Sequence, residues 1–310
     1  MSLLRFLLLA LLAAVSLASC GGGSDENDGA RQAAEPAQDV AALARQAFGP
    51  NKKARSGRID GRIDITVKGA RGFREPVALS MSGPYRGRQG AALPDYAIDL
   101  SVGDRGVGLS SVHGRSFVIL GTTGYEVPAQ VRRRLARSAA RGANSLMRML
   151  DQFGIAPWRW ETNKRLGATE QVDGVPTVRV DTGVDVDRFL RDANTFAGVL
   201  SSLGVARTNG LPRRIPDSAR RILAASVRSA KGASWIATSD GVMRKAGLTI
   251  DFAIPQRRRA RIGGISSVKV VAQVLVSEVG STPKIAAPRT LEPFASLQVA
   301  FDALAEDVQR

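Results

Sequence analysis

The chain has 310 residues, with 44 Lys+Arg against 28 Asp+Glu and a formal charge of +16. One Cys and one His exclude a disulfide framework, a Cys/His zinc site and any mechanism built on two histidines. With 44% hydrophobic residues a chain of this length buries a core unaided, and since Arg outnumbers Lys 36 to 8, coding bias accounts for the charge as well as a polyanionic partner does.

Residues 1–19 have the form of a secretory signal: Arg5 precedes a short apolar run of Leu and Ala from Phe6 to Val15, too short for a stable membrane span. Leu17-Ala18-Ser19-Cys20 resembles the bacterial lipobox, in which the cysteine is acylated and becomes the first mature residue. An ordinary cleavable signal with a chance cysteine is the alternative. The glycine-rich polar run that follows cannot bury surface, so residues 20–38 are expected to be a flexible tether. Residues 39–310 are expected to form one domain, without a clean internal linker.

Val40, Leu43, Ala44 and Ala47 share one helical face, which stops at Gly49-Pro50. The period then changes from 3.6 to 2. Ile59, Ile63, Ile65 and Val67 alternate with polar residues over 57–68, and similar strands are predicted at 76–85, 96–102, from 107, and at 117–120. Gly103, Gly114 and Gly121 mark hairpin turns between them. Pro128 opens a predicted helix to about Phe153 carrying Arg132, Arg133 and Arg134. Further helices are predicted at 187–203 and 217–230, and strands at 175–180, 233–238, 243–252 and 262–279. A last helix over 294–308 spaces Phe294, Leu297, Phe301, Leu304 and Val308 along one face; its Asp and Glu residues favour docking on the core over lying in a membrane. The expected fold class is α+β, a single strongly curved antiparallel sheet, or half-barrel, with helices packed on its concave face.

Several stretches taken in order resemble the LppX/LprG group of bacterial lipoproteins, within the LolA-like superfamily of lipid carriers. They are Ser56-Gly57-Arg58-Ile59-Asp60-Gly61 with its following strand, Tyr125-Glu126-Val127-Pro128, Val172-Asp173-Gly174-Val175-Pro176-Thr177, Gly183-Val184-Asp185-Val186, and Ser239-Asp240-Gly241-Val242-Met243-Arg244. The resemblance covers about residues 55–285. It implies a half-barrel sheet around helices, an apolar cavity between the layers, and binding or transfer of acylated lipids, with no catalytic residue or cofactor. The Arg-rich stretch 129–150, the segment 204–230 and the helix from 294 depart from the group's pattern.

No nucleophile elbow, calcium-loop spacing or placed carboxylate pair occurs in the sequence, so no enzyme activity, metal or cofactor is assigned. His113 reads as a turn residue. The basic clusters 132–134 and 257–261 are either solvated surface or a site of attraction for anionic lipid headgroups. Export and few aromatic residues argue against nucleic acid. Two readings stay open. In one, an exported protein anchored through Cys20 to the outer face of the cytoplasmic membrane encloses a hydrophobic lipid against Ile63, Ile65, Val67, Leu79, Met81, Ile98 and Leu100. In the other, the same fold with a filled core is a binding or scaffolding module of the cell envelope, its protein partner unknown.

Overall fold

The computed structural model describes residues 39–49, 51, 53–70, 76–88, 94–102, 105–138, 145–152, 154–202 and 214–307. The expected signal, Cys20 and the expected tether lie outside the described residues.

Helix α1 (Val40–Phe48) begins where the Asp39 carboxylate accepts a hydrogen bond from Ala41 N at 2.9 Å, and it buries Leu43, Ala44 and Ala47. A 3₁₀ turn then leads into β1 (Ser56–Lys68), the longest strand. A meander follows through β2 (Val77–Arg86), β3 (Asp95–Val102), β4 (Arg105–Val112), β5 (Arg115–Leu120) and β6 (Thr123–Glu126). Helices α2 (Ala129–Ser138) and α3 (Ser145–Gln152) come next, and a second meander starts with β7 (Glu161–Val172) and β8 (Val175–Val184). Helices α4 (Val186–Ser202) and α5 (Asp217–Ala224) interrupt it before β9 (Val227–Ala237), β10 (Met243–Ala253), the single-turn α6 (Gln256–Arg259) and β11 (Ser267–Ser277). The described chain ends with β12 (Thr290–Glu292) and α7 (Leu297–Asp307).

All twelve described strands form one open, curved sheet in the order β12-β6-β5-β4-β3-β2-β1-β11-β10-β9-β8-β7. Every pairing is antiparallel except the short parallel contact of β12 with β6. The seam between the two meanders is β1 against β11, with Ile59 opposite Val276, Ile63 opposite Ala272 and Ile65 opposite Val270. The expected alternation is realised here: Val268, Val270, Ala272, Val274 and Val276 are all buried. One contiguous apolar core joins this inner face to Leu146, Met149 and Leu150 of α3, Phe189, Leu190 and Ala193 of α4, and Ile222 and Leu223 of α5. The helices thus lie on one side of the sheet, as the α+β expectation has it.

Several elements differ from expectation. Of the helix predicted from Pro128 to Phe153, the described residues form α2 over Ala129–Ser138 and α3 over Ser145–Gln152. The predicted helix 217–230 ends at Ala224: Ser226 Oγ bonds back to the Ile222 carbonyl at 2.7 Å, and the Ser226 carbonyl accepts from Ala253 N at 2.8 Å, so the chain leaves as β9. The strand expected from Ile262 starts at Ser267, because Gly263 and Gly264 take left-handed conformations (φ +73° and +84°) after a 3₁₀ turn. Strand β7 is absent from the sequence reading because it lacks alternation. It is an edge strand whose pairing with β8 shifts register twice, so its partly buried residues recur about every third position.

At one end of the sheet α1 packs beside the β9–β10 turn, where Asn51 Nδ2 and Lys53 Nζ donate to the Asp240 and Ser239 carbonyls at 3.0 and 3.2 Å. The last residues of β10 and the first of β9 and β11 lie at the other end, roughly 35 Å away along an 11-residue strand. Helices α5 and α6 cover that end.

Candidate functional site

Alternation puts side chains of one parity on one face, and the register assembles them across strands. Ile63 of β1 sits opposite Leu79 of β2 and Ala272 of β11, and Ala272 opposite Leu248 of β10. One rung on, Met81 faces Leu100 of β3, while Ile98 faces Leu109 of β4. The seven residues singled out in the sequence therefore lie on one face of three adjacent strands. Ile63, Ile65, Val67, Leu79, Met81 and Ile98 are 0–7% exposed, and Leu100 is half-buried against the same core. Helix α3 approaches β2 directly. Cys20 lies outside the described residues.

A polar patch interrupts the apolar lining at β7–β9. Ser234 stands opposite Val180, and Thr182 two residues further along β8. Across them the buried Glu161 carboxylate accepts from Ser234 Oγ at 3.3 Å and pairs with Lys164 Nζ at 2.9 Å. Burial raises the Glu161 carboxyl above its usual range, against the opposing pull of Lys164 and Ser234. Thr182 Oγ1 is buried with no hydrogen-bond partner among the described residues. A second polar device holds α4 to the chain ahead of β7: Asp192 Oδ2 accepts from Trp160 Nε1 at 2.8 Å and from Ala156 N at 3.1 Å. Trp160 also meets Phe189 edge-on, with ring centroids 5.2 Å apart.

Two surface clefts mark opposite ends of the sheet. The first, about 680 Å³, lies between α1 and the β9–β10 turn and is lined by Arg45, Gln46, Asn51, Lys53 and Asp240. The second, about 650 Å³, lies between α5 and α6 and is lined by Ser218, Arg221, Ile222, Ala225, Arg258 and Arg261. The cluster 257–261 was visible in the sequence, but Arg221 was not tied to it, since only the fold brings the two segments together. The other cluster does not stand free: Arg132 pairs with Glu126 at 3.2 Å, and Glu126 also pairs with Arg115 at 2.5 Å.

His113 (φ +51°) and Gly114 (φ +79°) form the two-residue turn between β4 and β5, and the His113 N–H donates to Asp95 Oδ1 at 2.9 Å. Among the described residues, no group of three or more His, Cys, Asp or Glu is placed to hold a metal ion. No helix among them is long and apolar enough to cross a membrane.

No established family profile and no curated protein sequence matches the chain. Similar solved structures include the lipoprotein LppX of Mycobacterium tuberculosis, with 14% identity, a TM-score of 0.36, and coverage of 80% of this chain and 97% of that one. LprF of Mycobacterium bovis is similar at 11% identity and a TM-score of 0.38, over 80% of this chain and 96% of that one. A LolA superfamily protein of Nitrosomonas europaea has 9% identity and a TM-score of 0.21, over 81% and 96%. These are members of the groups that the sequence motifs resemble.

Proposed function

We propose that this chain is an exported, lipid-anchored protein that holds an acylated lipid between its sheet and its helices. The observation that carries the proposal is the continuous apolar inner face, from Val67 and Ile65 on β1 to Ile98 and Leu100 on β3, covered by separate helices. The backbone hydrogen bonds of the sheet run within it. Parting α3 and α4 from it therefore breaks apolar contacts and leaves the ladder intact, and acyl chains replace those contacts in kind. Residues at 0–7% exposure touch protein in this state, so lipid entry requires the helices to move outward. Cys20, at the end of the signal-like segment, supplies the attachment point, and two or three acyl chains make such attachment stable. The work done is desolvation of the ligand, with no bond made or broken.

The burial of the same side chains also supports the other reading, a filled-core envelope module. Native mass spectrometry of the full chain in nonionic detergent separates the two. An organic-extractable mass bound in addition to the anchor supports the carrier. Absence of such mass, together with no lipid uptake from vesicles, supports the module. For the anchor, a Cys20→Ala chain is expected to leave the membrane fraction in a high-salt wash; retention of the variant in that fraction counts against acylation at Cys20.

A further inference from the structure

We infer that the cleft between α5 and α6 is a binding site for the phosphate of an anionic phospholipid headgroup. The inference rests on the exported, membrane-associated reading above. It starts from three guanidinium groups, Arg221, Arg258 and Arg261, that line one cleft of about 650 Å³. None of the three has a carboxylate within 4 Å or a hydrogen-bond partner among the described residues. Three nearby arginines contrast with them: Arg220 is paired with Asp187 and Asp217, Arg214 with Asp217, and Arg259 Nε donates to the Ile254 carbonyl at 3.0 Å. Arg257, beside Arg258 on α6, is likewise unpaired among the described residues but does not line the cleft. Like charges gathered without counter-charge repel one another, and an oxyanion between them removes that cost while accepting several guanidinium N–H groups.

The platform that presents these charges is rigid. Ile254, Ile262 and Ile265 are buried at 0–2% exposure on either side of α6, and Gly264 N closes the turn on the Arg259 carbonyl at 2.8 Å. On the facing element, Ala219 and Leu223 anchor α5 at 3% and 1% exposure. Little backbone ordering is therefore left for binding to impose, and the remaining ordering cost is that of fixing the three arginine side chains. The cleft also has an apolar component, Ile222 and Ala225 beside the arginines, which suits a phosphate carried on a glycerol backbone better than a bare ion. Residue 39 and this cleft lie at opposite ends of the sheet, roughly 35 Å apart. The 19 residues from Cys20 to Gln38 extend to at most about 65 Å, so anchor and cleft can meet one leaflet together.

The test is isothermal titration of the full chain in nonionic detergent with three probes: dihexanoyl phosphatidylglycerol, dihexanoyl phosphatidylcholine and inorganic phosphate. Phosphatidylglycerol is expected to bind, to weaken as salt is raised, and to lose at least tenfold in affinity in the Arg221→Gln/Arg258→Gln/Arg261→Gln variant. A charge-matched control, Arg62→Gln/Arg115→Gln/Arg188→Gln, is expected to bind like the parent. Equal losses in the two triple variants, or none in the first, overturn the site. Inorganic phosphate binding as tightly as the lipid overturns the lipid assignment. Cargo seen by native mass spectrometry is expected to persist in the cleft variant, so failure at the cleft and failure of the carrier reading give different results.

Discussion

Asp192 shows how much one side chain can hold. Its carboxylate is the acceptor for the indole N–H of Trp160, a residue only 1% exposed, and for the backbone N–H of Ala156. Removing the acceptor leaves a buried donor unsatisfied, so Asp192→Ala is expected to lower the unfolding free energy by about 1–3 kcal/mol, read from the urea midpoint at unchanged slope. Asp192→Asn keeps a carbonyl oxygen in place and should recover most of that loss. Glu161 predicts a pH dependence of definite sign. Its folded-state pKa is raised by burial, so between the ordinary carboxylate value of 4.5 and the raised value the folded state holds more protons than the unfolded state. This group's contribution is thus fully present below pH 4.5 and is lost as pH rises through the folded-state pKa. Glu161→Gln is expected to flatten the decline in thermal midpoint above that pH; an unchanged slope would mean that Lys164 and Ser234 cancel the burial.

Strand pairing depends on a few positions where backbones meet. Gly83 of β2 has φ +150°, and a Cβ there would lie 1.9 Å from the Ala97 carbonyl oxygen of β3. Gly83→Ala cannot be accommodated without parting the two strands, and a loss of more than ~2 kcal/mol is expected in chemical denaturation. Helix α7 docks through Leu297 and Phe301, at 2% and 3% exposure, while Val299 is 70% exposed. Phe301→Ala should therefore cost about 3–5 kcal/mol, and Val299→Ala should stay within about 0.5 kcal/mol of the parent. At this scale the sequence was most informative where one face of an element is wet. Strands β1, β2, β3 and β11 and helices α1 and α4 could be located because burial on a single side writes period 2 or 3.6 into the residues. Strand β7 could not, since its two register shifts turn the buried side and space its partly buried residues about three apart, not two. Strand β12 is three exposed residues whose strand character comes wholly from pairing with β6.

Across the whole molecule, two meanders share one inner face because β1 meets β11, a pairing between residues about 200 positions apart in the chain. This long-range seam places Ile63 and Ile65 at the middle of the apolar face. Leu100, half-buried at its margin, is the one of the seven candidate residues not fully buried, so a charge there damages folding less than at the other six. Leu100→Lys is expected to reduce bound lipid in native mass spectrometry several-fold with a small change in melting temperature. In a filled-core module the same substitution would leave no such loss to measure. The candidate lining was legible from alternation, since Ile63, Leu79, Met81 and Ile98 each occupy the apolar parity of their strands. The α5–α6 cleft was only half legible: the run from Arg257 to Arg261 stands out in the sequence, but Arg221 lies 36 residues before it.

By itself the sequence determined that there is one Cys and one His, the apolar parity of most strands, and the position of the single cysteine on which the anchor proposal rests. Those properties are local: they depend on residue type and on spacing over a few positions. The tertiary structure decided which strands are neighbours, where Asp217–Ala224 stops being a helix, and which arginines lack a counter-charge among the described residues. These are matters of contact between distant segments, and no local period records them. An ion pair such as Arg220 with Asp187, or the lack of one at Arg221 among the described residues, is settled only once α4 and α5 have packed on the same sheet.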